Sequence, residues 1–391
     1  MKNILIAIRS IFKKGRHNVM KIVSLGIGLA VGLVLIAKVY FEQSYDDFYP
    51  DRDRVYQVWA KYQQNGGELK DYPQTSGGIA PTMQQQIPEI ETVTRYTSFG
   101  DWTFTMTDTK MKYSGRCIIA DSCFFDILPR PMLIGNAKEV LSTPMYVLIS
   151  SRIAKNIGGD VIGKNFTVDN SPGRTMTIGG VFEEVPENSH SRYDVIVSMA
   201  SAGRFMWEGS PTNMLGNDRY ISYVKLHKGV NPLALEEQVR TFVNSYFPPE
   251  EQQKVGLSID FSFHKLDNLH KELPQVKRMT WILSLLAFAL IFTAVMNYIL
   301  IVISSIVNRS KEVAVHKCYG ASENNIHGMM FGEALVHIVL SLILALLLIL
   351  AFRGTVEELL ATSLDSLLLS NGSLVLLGIC ILVFFVSGFM P

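Results

Sequence analysis

From Met279 to Val307 the chain carries no charge, and Leu, Ile, Val, Phe and Ala dominate. Crossing a bilayer takes about 20 apolar residues in a helix, because hydrocarbon offers backbone N–H and C=O groups no other partners. Residues 279–307 are long enough to cross with tilt. Three further stretches come close. Residues 22–37 are uncharged and flanked by Lys21 and Lys38, whose long stems can snorkel to the interface. Residues 334–352 hold His337 as their one titratable group, and residues 374–389 are shorter but uncharged. Composition agrees, with 18% charged residues against about 25% in a typical soluble domain, and a mean hydropathy of +0.21. The first stretch follows a long basic region and precedes no small-x-small cleavage site. It therefore reads as a retained anchor rather than a signal peptide.

Charge placement sets the orientation. The net charge of +1 hides an asymmetry: Lys2, Arg9, Lys13, Lys14, Arg16, Lys21 and Lys38 precede the first acid. Basic flanks stay in the cytoplasm, so residues 42–275 are expected outside. Arg309, Lys311 and Lys317 after the second span agree, whereas Lys277 and Arg278 before it run against the rule. The predicted fold is an α-helical membrane protein with four transmembrane helices, one plus three, and a large α+β extracytoplasmic domain between the first and second. Residues 1–18 form a basic amphipathic helix with Ile4, Leu5, Ile8 and Ile11 on one face, suited to the inner membrane surface. Span one covers 19–41. The permease part, 276–391, has spans near 279–307, 331–353 and 373–390 and a cytoplasmic loop at 308–330. The stop at Met390-Pro391 without a polar tail reads as a fragment or the first module of a longer polypeptide.

The domain at 42–275 shows period-two alternation at 55–60, 103–107, 174–182, 194–198, 222–227 and 259–264, predicting strands. Helices are predicted at 79–86, 151–157 and 231–246, the last with Asn231 as N-cap and Pro232 in its first turn. The length suggests two subdomains. No enzyme chemistry emerges. Residues 158–165 approach a P-loop, but Asn165 replaces the hydroxyl that would hold magnesium, so a glycine-rich turn is the sounder reading. The histidines lack zinc spacing; His264 and His270 suit surface or packing roles. No nucleophile signature occurs. A Cys117–Cys123 disulfide is chemically permitted outside the cytoplasm, but two free thiols are the simpler reading.

Three sets of polar or small residues fall in the spans. Asn297 suits a hydrogen bond between helices. Glu333 and His337 are four apart on one helix face, either a polar contact that moves in a working cycle or an interfacial pair at the headgroups. Gly26, Gly28 and Gly32 suit close packing against another helix, such as one of a second copy, with flexibility of the single helix as the alternative.

The loop at 308–322 reads Asn308-Arg309-Ser310-Lys311-Glu312-Val313-Ala314-Val315-His316-Lys317-Cys318-Tyr319-Gly320-Ala321-Ser322. It resembles the corresponding stretch of MacB/FtsX-like ABC transporter permeases. Residues 44–48 (Ser-Tyr-Asp-Asp-Phe), 53–58, 120–125, 161–164, and 178–182 running into Pro186-Glu187-Asn188-Ser189-His190 resemble the MacB-type periplasmic core domain, in family order. The form is similar to Bacteroidetes-type permeases, which commonly carry two such modules. The resemblance implies that residues 309–322 form a short coupling helix on a separate cytoplasmic ABC ATPase. Arg309, Lys311, Glu312, Val313, Val315, Lys317, Gly320, Ala321 and Ser322 would make that contact. On the residues alone, Lys311 and Glu312 open a short helix that Gly320 ends, and Ser322 caps the next; a partnerless basic loop is the alternative.

The resemblance further implies a non-catalytic inner-membrane subunit with no cofactor of its own, ATP being bound by the partner. It implies pairing with a second permease module, contact with the lipid bilayer, and a periplasmic adaptor or outer-membrane channel as a further partner. Nucleic acid is not expected. The expected role is mechanotransmission for export of an antimicrobial compound, peptide, lipoprotein or lipid. The alternatives are an FtsX-like regulator of a cell-wall hydrolase, an envelope-stress sensor, and a membrane-anchored receptor without an ATPase.

Overall fold

The computed structural model describes residues 18–169, 171–216, 218–318, 323–368 and 378. The predicted amphipathic helix at the N-terminus and the fourth span at 373–390 lie outside the described residues, Gly378 apart. The chain divides into a sheet unit, Tyr45–His270, and a helical unit formed by the segments on either side of it.

In the sheet unit eleven strands form one sheet: β1 (Val55–Gln64), β2 (Lys70–Tyr72), β3 (Ile90–Met106), β4 (Lys112–Ala120), β5 (Met132–Ile134), β6 (Tyr146–Ser150), β7 (Asn165–Val168), β8 (Ser171–Phe182), β9 (Val195–Ser198), β10 (Ile221–Leu226) and β11 (Leu257–Lys265). The order is β11-β1-β10-β3-β4-β9-β6-β8-β5, with β2 on β1 and β7 bridging β3 and β8. Most pairs are antiparallel; β4–β9 and β6–β8 are parallel. The long β3 joins the two halves of the sheet, pairing with β10 over Ile90–Tyr96 and with β4 from Tyr96 onwards. Its register shifts between Ser98 and Gly100. Gly100 has φ +74° there, a conformation a bulge can use without a Cβ clash.

Alternation feeds three buried clusters. Trp102, Phe104, Phe166, Met176 and Ile178 centre the first. Val58, Ile79, Met83, Phe242 and Phe261 centre the second. Tyr49, Tyr96, Phe124, Phe182 and Tyr223 centre the third. Helix α1 of the helical unit spans Asn18–Gln43. In the sheet unit α2 (Ile79–Gln86) buries Ile79, Ala80 and Met83. Helix α3 (Ser151–Ile157) is capped by the Ser150 hydroxyl, which accepts from the Ile153 amide, and ends at Gly158 with φ +74°. Helix α4 (Glu236–Tyr246) buries Val239, Phe242 and Val243. The bounds of α2 and α3 are those the sequence predicts; the first turn of the third predicted helix is instead a 3-10 turn, Pro232–Leu235.

The glycine-rich stretch after α3 is a turn leading into β7, with Gly158, Gly159 and Gly163 all at positive φ. Helix before and strand after reverse the P-loop order of strand, loop and helix. His264 stacks on Trp59 and His270 on Tyr45, which are packing roles. Cys117 and Cys123 are both free thiols. Burial pushes the Cys117 thiol well up, away from the reactive thiolate.

The helical unit continues with α5 (Pro274–Cys318), α6 (Glu323–Ala351), α7 (Arg353–Leu360) and α8 (Leu364–Leu368). Two helices are long and apolar enough to cross a membrane, Val19–Gln43 and Pro274–Leu300. Leu335–Ala351 with Arg353–Leu360 makes a third only if a pair bent by 69° counts as one span. Among the described residues the expected four spans are therefore two, or three with the bent pair.

Candidate functional site

The expected coupling rod is not a separate helix. Between Pro274 and Cys318 there is no glycine and no further proline, so nothing interrupts the i→i−4 ladder. Helix α5 therefore runs unbroken for 45 residues, about 67 Å at 1.5 Å per residue, roughly twice a 30 Å hydrocarbon core. Arg309, Lys311, Glu312, Val313, Val315 and Lys317 occupy its last three turns, and Val315 and Cys318 are exposed. The predicted loop 308–330 thus begins as a continuation of the span. Gly320, Ala321 and Ser322 lie outside the described residues. Helix α6 resumes at Glu323, so Glu333 stands on α6 well after its start.

Small residues bring α1 against both other long helices. A Cβ on Gly32 would come within 2.7 Å of Ile291 on α5, and one on Gly28 would overlap Ala294. A Cβ on Gly26 would meet Leu344 of α6 at 2.9 Å. The Ser341 hydroxyl donates to the Ile22 carbonyl at 3.2 Å, tying α6 to α1 again. These glycines thus pack closely on α5 and α6, the close helix packing expected of them. Beside Ser341, His337 is buried. Among the described residues, Asn297 is exposed on α5. Its helix also exposes Trp281, Leu285, Phe288, Phe292, Met296 and Leu300, an apolar stripe at three- and four-residue spacing that suits hydrocarbon.

The flanking lysines are buried by the protein itself. Lys21 and Lys38 are 2% and 6% exposed. Lys38 Nζ pairs with Glu42 Oε1 at 2.6 Å and donates to Thr362 Oγ1 at 2.8 Å, just after α7. Its ammonium also lies 5.1 Å from the Phe41 ring centre. A buried charge is tolerable only when paired, and this pair fastens the C-terminal end of α1 to the turn between α7 and α8. That turn is itself built: Arg353 bridges Glu357 and Asp365 at 2.9 and 3.1 Å, and Glu357 accepts from the Leu364 amide. The i, i+4 spacing of Lys38 and Glu42 was visible in the sequence; Thr362 was not. An open apolar cleft of about 510 Å³ lies between Ile27, Val31, Leu348, Phe352, Val356 and Leu359.

No metal-binding group of His, Cys, Asp or Glu occurs among the described residues. The arrangement joins an apolar packing of α1, α5 and α6 to the long unbroken continuation of α5.

Comparison with known proteins gives this geometry a family. The MacB-like periplasmic core domain pattern matches residues 20–242, more than half of the chain, and the FtsX-like permease C-terminal pattern matches residues 284–391. A domain assigned to a permease of Porphyromonas gingivalis is similar at 33% identity and TM-score 0.51, covering 56% of this chain and 91% of that one. The periplasmic region of MacB from Actinobacillus actinomycetemcomitans matches at 16% identity and TM-score 0.36, covering 56% and 92%. The extracellular domain of the noncanonic ABC-type transporter YknZ from Gram-positive bacteria matches at 11% and 0.37, covering 52% and 98%. No curated protein matches the chain at a significant level. With both domain patterns in order along it, the chain belongs to the MacB/FtsX-like permeases of ABC transporters.

Proposed function

We propose that this permease subunit works by mechanotransmission: a separate cytoplasmic ABC ATPase grips residues 309–322, and its ATP cycle moves α5 and the helices packed on it. The observation that carries this is the unbroken run of α5 from Pro274 to Cys318. A continuous helix passes axial displacement or tilt along its length, which a loop of the same span would absorb. Arg309, Lys311, Val313, Val315 and Lys317 supply basic and apolar groups for a groove on a soluble partner. Two permease modules pair, and cargo is handled on the periplasmic side or in the outer leaflet. An antimicrobial compound, a peptide, a lipoprotein or a lipid fits that route.

Co-expression with an ABC ATPase tests the contact. Lys311→Ala with Glu312→Ala is expected to lower recovery of the ATPase while membrane insertion stays intact. Unchanged recovery, or labelling that finds residues 309–318 and 45–270 on one side of the bilayer, overturns the reading. Liposomes holding the intact complex separate export from regulation, since a regulator leaves every cargo in place when ATP is supplied.

A further inference from the structure

Two family-like stretches of the sequence, 44–48 and 186–190, meet inside the sheet unit. Asp46 is fully buried and sits at φ +59°, a left-handed conformation that Asp accepts more readily than most residues. Its amide donates to the Asn188 carbonyl at 2.9 Å. Its carboxylate accepts from the Ser189 hydroxyl at 2.9 Å, from the His190 amide at 3.3 Å, and contacts His190 Nδ1 at 2.6 Å. The other ring nitrogen, Nε2, meets the Tyr223 hydroxyl on β10 and lies 3.1 Å from Ser191 Oγ. Ser191 Oγ is in turn 2.7 Å from the Tyr96 hydroxyl on β3.

A continuous polar path therefore leads from Asp46 into β10 and β3, neighbours near the middle of the sheet. Next to it, Tyr45 stacks on His270 at 3.4 Å and 7°, and Arg52 bridges Asp47 and Asp267. The first and last residues of the unit are thereby held together. An Asp–His–Ser order invites comparison with a nucleophile triad. Here the serine is buried and its hydroxyl is engaged by Tyr96, which leaves no approach for a substrate.

We propose that the Asp46–Ser189–His190 cluster is a latch that passes displacement of α1 into the centre of the sheet. Helix α1 ends at Gln43, three positions before Asp46, so a pull on the helix reaches the latch before any strand. The transmission half of this inference rests on the moving-helix reading above; the tethering half does not.

Hydrogen exchange on the full-length chain in nanodiscs tests both. Asp46→Asn keeps an acceptor oxygen and the left-handed backbone, and residues 44–54 should exchange within about threefold of wild type. Asp46→Gly keeps the backbone but loses every side-chain bond, and exchange there should rise tenfold or more while β6 and β8 stay unchanged. Wild-type exchange in Asp46→Gly overturns the latch outright. With a co-purified ABC ATPase, nucleotide should alter exchange in β3 and β10 of the wild type and lose that effect in Asp46→Gly. A full nucleotide response in Asp46→Gly refutes transmission. No response in the wild-type complex refutes the moving-helix reading instead, and the tether is still decided by the chain alone.

Discussion

At the residue scale, charge pairs in the sheet unit give it a measurable pH response. Asp51 is held below the usual carboxylate range by hydrogen bonds from Lys225 and Arg54, at 2.6 and 3.0 Å. Arg54 and Lys225 also face Glu91. A carboxyl whose folded pKa is depressed adds stability above its unfolded value, about 3.9, and loses it as pH falls through the folded value. The thermal midpoint of the sheet unit should therefore drop as pH is lowered below about 4, and Asp51→Asn should flatten part of that drop. A midpoint of unaltered acid sensitivity in Asp51→Asn would dismiss this pair as its source. Lys38 makes the stronger prediction, because its partner Glu42 is buried with it. Lys38→Met removes the ammonium paired with that buried carboxylate, at a cost of up to about 3–5 kcal/mol; Lys38→Met with Glu42→Gln should recover much of it. Thermal unfolding in nanodiscs reads both, and a Lys38→Met midpoint equal to wild type would count against the lock. The sequence placed Lys38 at the rim of a span but not its direction, since Thr362 lies 324 positions away and no local pattern encodes such a contact.

At the element scale, what could be read followed from local chemistry. Helix α2 carries its apolar face, and α3 its Ser150 cap and terminal glycine, within a few residues, so their bounds were legible. Strand β3 was read only at its far end. Its first half is rich in Thr and Ser, and its register comes from β10 and β4 rather than from its own alternation. Strands β2 and β5 have three residues each, too few for any period to show. For α5 the apolar run was plain, but its end was misjudged. The change from apolar to basic residues at 308 was read as a loop with a separate short helix opening at Lys311, whereas no Gly or Pro interrupts the helix before Cys318. The glycines of α1 were recognised as packing residues, with the partner left open. Gly28→Leu should now disturb the α1–α5 contact at Ala294 and cost about 1–3 kcal/mol by overpacking. Unfolding midpoints compare it with Gly354→Leu, whose Cβ meets open space; equal losses would show that the contact is not tight.

At the scale of the whole molecule, the proposed relay along the long helix makes one demand: α5 must stay stiff between its Cys318 end and the membrane. Ser310 lies on α5 just before Lys311 and Glu312. Proline there removes one backbone donor and collides with the carbonyl four residues earlier, at about 3 kcal/mol or more, which kinks the helix. The side chains proposed to meet the ATPase, Arg309 and Lys311 to Lys317, are all kept and the clash falls one turn back at residue 306, so an ABC ATPase should still co-purify and hydrolyse ATP. What should disappear is the nucleotide-dependent change in hydrogen exchange within the sheet unit, while Ser310→Ala keeps it. If the Ser310→Pro complex relays the nucleotide state as well as the wild type, force does not travel along α5, and the path must run through α6 and the Lys38 lock instead.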